Sequence, residues 1–101
     1  MAAKKLDPIH PGEILFEDFM KPLAISINGL ARDLDVPPAR ISDIVHGKRG
    51  ITADTALRLA KYFNTTPGVW LGLQSEFEIR VAQRTVWPQI ESRVRVRVRA
   101  A

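Results

Sequence analysis

Between Ser26 and Gly47 the apolar residues fall into two short helical runs divided by a tight turn. Ile27, Leu30, Ala31 and Leu34 follow the i, i+3, i+4, i+7 template of a helix with one buried face. Ser26 stands where an N-cap belongs. Asp35-Val36 leaves room only for a sharp change of direction. Pro37 and Pro38 suit a new helix start, where a missing N–H costs nothing. Ile41, Ile44 and Val45 then supply one apolar face, and Gly47, tolerant of a left-handed backbone, ends the run. Both faces must be buried at once, so the helices have to cross closely. Ala31 is small enough to sit at the crossing, and Val36 can plug the gap in the turn.

The rest of the chain has the same texture. Pro11 and Gly12 open a segment carrying Ile14, Leu15, Phe16, Phe19 and Met20, which Pro22 stops. Thr52 caps a fourth helix whose stripe is Ala56, Leu59, Ala60 and Phe63, with Asp54 in its first turn. Thr66-Pro67 repeats the cap-plus-proline start, and Trp70, Leu73, Phe77 and Val81 form a fifth stripe reaching about Thr85. The spacing therefore predicts an all-α fold of five short helices over residues 1–85, with the helix-turn-helix core at 26–47.

At 101 residues the chain is one small domain, and its 46% hydrophobic and 26% charged composition is that of a globular protein. It has no cysteine, which removes disulfide frameworks, thiolate metal sites and cysteine nucleophiles and suits a cytoplasmic setting. The start carries Lys4 and Lys5 but no apolar core of a signal peptide, and no apolar run approaches the roughly 20 residues of a membrane helix. Residues 1–82 hold ten Lys/Arg and ten Asp/Glu, so the net charge of +4 lies wholly in residues 83–101. There, Arg84, Arg93, Arg95, Arg97 and Arg99 face only Glu91. Residues 86–101 read as a basic tail. Arg93-Val-Arg-Val-Arg-Val-Arg99 alternates with period two, the pattern of a short strand, and a lone strand must find a partner or stay disordered.

The Ser26–Gly47 pair has the geometry of a helix-turn-helix whose second helix enters the DNA major groove. The same pattern also fits two packed helices with no DNA role. With Ile41 and Ile44 inward, the outward set of the second helix is Ala39, Arg40, Ser42, Asp43 and His46. Arg40 and Asp43, three apart, are also spaced to pair with each other on a solvated face. No Ser-His-Asp arrangement or phosphate-cradling glycine loop is present, and His10 and His46 do not make a metal set. The expectation is no enzyme, no cofactor and no metal, with His10 capping or packing the first helix.

Three runs add a resemblance. They are His10-Pro-Gly-Glu-Ile-Leu15, then Gly47-Lys-Arg-Gly-Ile-Thr-Ala-Asp-Thr-Ala-Leu-Arg-Leu-Ala60, then Thr66-Pro-Gly-Val-Trp-Leu71 with Leu73-Gln74. Together they resemble the HigA-type antitoxins of bacterial type II toxin–antitoxin systems, a branch of the phage-repressor-like, XRE-class helix-turn-helix proteins. The resemblance covers roughly residues 8–82 and leaves the tail outside. It implies a five-helix lambda-repressor-like domain that acts as a homodimer. It implies a cytoplasmic protein, nucleoid-associated when on DNA, that binds an operator in its own promoter and represses the operon. It further implies direct neutralisation of a RelE-like ribonuclease toxin of the HigB type. Two other functions fit the residues: a toxin-inhibiting interaction module with little DNA binding, and a stand-alone repressor.

In that family's docking mode Arg40 would donate to guanine, Asp43 would accept from a cytosine amino group, Ala39 would meet a thymine methyl, and Ser42 would serve a base or a phosphate. Lys48 and Arg49 match the family's Gly-Lys-Arg and would grip phosphates, and Ser26 would offer its helix N-terminus to another. Trp70, Leu73 and Phe77 would divide between core and a two-fold interface. The chain departs from the family at Ile27, where relatives carry a phosphate-binding glutamine, and at Pro38 and Ala39, which cannot hydrogen-bond a base through their side chains. A modest affinity with a shallow salt dependence follows unless the tail contributes. The tail itself reads as a basic arm on phosphates, as a strand added to the toxin or the other subunit, or as a membrane-surface extension.

Overall fold

The computed structural model describes residues 7–98, and Arg99 of the predicted strand lies outside them. The chain is all-helical over this range. Helix α1, Pro11–Ile14, runs on without a break into a π-helical turn, Leu15–Met20. Residues 21–24, including Pro22, form the turn that follows. Then come α2 (Ile27–Leu34), α3 (Pro38–Val45), α4 (Ala53–Phe63) and α5 (Pro67–Arg84). The five expected helices are all there. A short sixth, α6 (Trp87–Ile90), and a 3-10 turn, Glu91–Arg93, follow where the sequence pattern indicated only a tail.

The helix ends follow from local chemistry. The side-chain oxygens of Ser26, Thr52 and Thr66 accept the N–H groups of Gly29, Thr55 and Val69, so three helices start on the residues whose chemistry favours it. Gly47 takes φ +74° just past α3. Asp35 and Asn64 end α2 and α4 in the left-handed region at φ 59° and 56°, which Asp and Asn tolerate best among residues with a Cβ.

One core unites the helices. Leu15, Met20, Leu30, Ala31, Leu34, Ile41, Ile44, Ile51, Ala56, Leu59, Ala60 and Trp70 are buried, and Val36 packs half-buried against them from the turn. Trp70 is completely enclosed. Its ring centroid lies 4.9 Å from that of Phe19, and Nε1–H donates to Thr65 Oγ1 at 2.9 Å. It therefore has no surface to give a two-fold interface, which corrects the expectation for that residue. Leu73 and Phe77 are half-buried. Val81, expected in the same stripe, is exposed, because the second half of α5 projects beyond the other helices.

The tail had two readings, a short strand or an unpaired loose segment, and the described residues show no strand. Val94–Val98 is exposed and adopts no regular structure. A ladder needs a second strand, and none exists among the described residues.

His10 performs both roles expected of it. Nδ1 accepts the N–H of Gly12 at 2.9 Å, and the ring stands edge-on to Phe77 with centroids 4.8 Å apart. The accepting nitrogen must be unprotonated, and burial pushes the His10 pKa below its usual 6.5. The folded chain then binds fewer protons here than the unfolded chain, so stability is complete above about pH 6.5 and is lost as pH falls through the lowered value. We expect the melting temperature of the parent to fall between about pH 7 and 5 by more than that of His10→Gln. Thermal denaturation across that range checks it.

Candidate nucleic-acid interface

The two helices of the Ser26–Gly47 unit meet as their spacing requires. Ile41 and Ile44 are fully buried, which turns the opposite side of α3 outward. Ala39 is exposed, and Arg40, Ser42 and Asp43 are half-exposed along that side. Lys48 and Arg49 lie exposed just past the helix end, and Ser26 is exposed at the start of α2. The proposed contact residues thus share the surface of one unit, and none is sealed beneath another of the described residues. Ile27 is half-buried and packs against the core, so an apolar residue at the family's glutamine position serves the fold.

The charged groups on this surface are not paired as the sequence spacing indicated. Arg40 does not bond Asp43. Its Nη1–H donates instead to Asp54 Oδ2 of α4 at 2.6 Å. Asp43 faces the other way, 3.5 Å from Arg49 Nη2, and its backbone carbonyl accepts the N–H groups of Lys48 and Arg49 at 2.8 and 3.2 Å. Asp43 therefore orders the turn carrying the two cations and does not orient Arg40. Lys48 makes no ion pair among the described residues. His46 Nδ1–H donates to the Ser42 carbonyl oxygen at 2.7 Å.

Two residues behind this surface were given no site role by the sequence reading. Arg58 Nε–H donates to Asp54 Oδ2 at 3.0 Å, while its Nη1–H group reaches the carbonyl oxygens of Leu34 and Asp35 at 2.7 and 3.1 Å. Arg58 thereby holds the turn between α2 and α3 from α4. The guanidinium groups of Arg58 and Arg40 keep the Asp54 carboxyl below its ordinary pKa. The i, i+4 spacing of Asp54 and Arg58 was legible, but their reach to the turn was not.

Gln74 is the third residue of this kind. Its Oε1 accepts the buried N–H of Ile51 at 2.8 Å and its Nε2–H donates to Glu78 at 2.7 Å. A Cβ at Gly50 would stand 2.8 Å from Gln74 Nε2, so the loop lies flat on α5 at that point. Asp43 and Gln74 together fix the loop from both sides, and Lys48 and Arg49 start from a held backbone. A lone glutamine one turn after Trp70 was the available signal.

Comparisons place this arrangement. Residues 17–70 match the helix-turn-helix family. The chain is 46% identical over 80 residues to virulence-associated protein I of Dichelobacter nodosus, spanning 79% of this chain and 74% of that protein. Its fold superimposes on an addiction module antidote protein of the HigA family from Coxiella burnetii at TM-score 0.86 and 47% identity, covering 91% of this chain and all of that one. The Pseudomonas aeruginosa antitoxin HigA, solved with the higBA promoter, matches at TM-score 0.87 and 43% identity over 90% of this chain and 99% of its own. The chain belongs to the HigA-type antitoxins of the helix-turn-helix family, a group of DNA-binding regulators and not of enzymes.

Proposed function

We propose that the protein binds operator DNA in its own promoter as a homodimer, represses the operon, and neutralises a RelE/HigB-like ribonuclease toxin by direct binding. The observation that carries the DNA reading is the outward side of α3, where Ala39 is exposed and Arg40, Ser42 and Asp43 are half-exposed, with Lys48 and Arg49 exposed just past its end. The relative from Pseudomonas aeruginosa that shares this fold was solved with its promoter. Arg40 reads guanine, Ser42 and Asp43 meet neighbouring base edges or phosphates, Ala39 meets a thymine methyl, and Lys48, Arg49 and the Ser26 end of α2 grip the backbone.

Dimerisation has its support in the projecting end of the molecule. Ile79 and Val81 on the second half of α5, Val86 in the turn after it and Trp87 on α6 are exposed, and none of the described residues buries them. A two-fold pairing there would hide them and set operator half-sites about 34–36 Å apart. Leu73 and Phe77, half-buried lower on α5, would border the same interface.

The experiment is a gel-shift titration against the protein's own promoter and a library of single-base variants. Lys48→Ala with Arg49→Ala weakens binding to every sequence and makes the salt slope shallower by about 1.8, as two lost phosphate contacts require. Arg40→Ala loses about 1–3 kcal/mol of discrimination at one base pair. Equal profiles for Arg40→Ala and the parent at every position would contradict the assignment.

The toxin half of the proposal is tested at the neighbouring open reading frame: a small basic RelE-like product encoded there should co-purify with this protein in fixed stoichiometry and lose its ribonuclease activity, and the absence of such a product would count against it. Truncation after Arg93, which keeps α6 and the 3-10 turn, assigns the Arg/Val segment of the tail. Loss of toxin binding identifies strand addition, and loss of DNA affinity alone identifies a basic arm.

A further inference from the structure

We propose that Asp54 is a positioning residue for base reading. It fixes the direction of the Arg40 guanidinium and is itself fixed by Arg58, and the inference rests on α3 being the helix that reads DNA. A single carboxylate oxygen, Asp54 Oδ2, takes both Arg40 Nη1–H at 2.6 Å and Arg58 Nε–H at 3.0 Å. Arg58 is anchored beyond it on the carbonyl oxygens of Leu34 and Asp35, at the left-handed end of α2. A continuous set of hydrogen bonds thus runs from the end of α2, through α4, to the tip of a side chain on α3.

The geometry distinguishes a buttress from a sink. The pair with Asp54 uses one of the five N–H donors of Arg40 and leaves the others for a base. Arg40 remains partly open to solvent, with 28% of its side-chain surface exposed. Two guanidinium groups share one carboxylate, so the cluster keeps a net positive charge toward the phosphates. An unheld arginine would lose rotamer freedom on docking, whereas this one is already held before DNA arrives.

A buttress and a purely structural ion pair differ in what they do to sequence choice. Removing Asp54 takes away a negative charge beside the duplex, so binding to non-cognate DNA stays equal or tightens. Discrimination falls about tenfold, at the same base pair that Arg40 reads.

The test uses full-length parent, Asp54→Asn, Asp54→Ala, Arg40→Ala and the Arg40→Ala/Asp54→Ala double variant, titrated against the promoter and its single-base variants. Melting curves confirm that each is folded, and Asp54→Asn keeps the side-chain shape should Asp54→Ala not fold. The expected result is loss of discrimination at one shared base pair, with the double variant no worse than Arg40→Ala alone. A uniform loss across all sequences, additive losses in the double variant, or tighter operator binding by Asp54→Asn would each overturn the proposal. A parent with no base preference would overturn the DNA reading itself. A discriminating parent matched by its Asp54 variants would overturn only the role of Asp54.

Discussion

Gly12→Ala is expected to be among the most damaging single-methyl additions this protein can receive. A Cβ at Gly12 would lie 1.7 Å from the carbonyl oxygen of Ile44 and 2.5 Å from its carbonyl carbon. Both atoms are backbone, so no rotamer change relieves the clash. Either α1 lifts away, taking the His10 cap and its contact with Phe77, or the end of α3 shifts and Lys48 and Arg49 move with it. Overpacking of this kind costs about 3 kcal/mol at the upper end of its ordinary range. In a domain of this size that lowers Tm by about 12 to 24 °C. The control is Gly72→Ala, where an added Cβ meets nothing within 4 Å. There the better helix propensity of alanine should raise stability by about 0.5–1 kcal/mol. Thermal denaturation of the two variants beside the parent decides it: similar curves for both would show that the approach of α1 to α3 is looser than described.

Trp70→Ala should cost about 3–5 kcal/mol, the range for deleting a large aromatic from a packed interior. The side chain is fully enclosed, its ring centroid is 6.2 Å from that of Phe63, and its indole N–H is satisfied by Thr65. Losing it empties the junction of the π-helical turn, α4 and α5, and leaves the Thr65 hydroxyl without its donor. The readout is the denaturant midpoint at several protein concentrations. A core role predicts a large drop at every concentration. An interface role would predict a drop that depends on concentration with an intact protomer, and the complete burial of Trp70 excludes that pattern.

The parts of the fold that follow from local chemistry are legible in the sequence. Ser26, Thr52 and Thr66 cap the helices they should, Gly47 takes the left-handed turn, and Ile41 and Ile44 anchor α3 from behind. What escaped depends on how helices are set against one another. Arg40 and Asp54 are 14 residues apart and Arg58 and Leu34 are 24 apart, so no helical periodicity links them. The nearer Asp43 looked the natural partner by spacing and was taken instead by Arg49.

The π-helical turn was hidden for a related reason. Leu15 and Met20 are both fully buried, five residues apart. A turn closed by i→i+5 bonds, as from Lys21 N–H to the Phe16 carbonyl, brings that spacing to one side. Apolar patterning at 15, 16, 19 and 20 fits an ordinary helix equally well. The tail shows why both of its readings had to stay open. Its alternation is the strongest period-two signal in the chain, yet strand formation is decided by a partner and not by pattern.

The motifs that carried the family resemblance prove to be places where elements meet. Gly12 admits the end of α3, Gly50 and Gln74 seat the loop bearing Lys48 and Arg49, and Arg58 holds the α2–α3 turn. Each sits behind the proposed DNA surface, and each fixes the backbone from which a contact residue projects.

The most direct test of that surface is a residue-by-residue map of amide chemical shifts as a duplex containing the protein's own promoter is added. The account predicts that the perturbed amides concentrate at Ala39–Gly50 and around Ser26, with α5 beyond Gln74 little changed. Perturbations centred elsewhere, with residues 39–49 unmoved at saturating duplex, would contradict it.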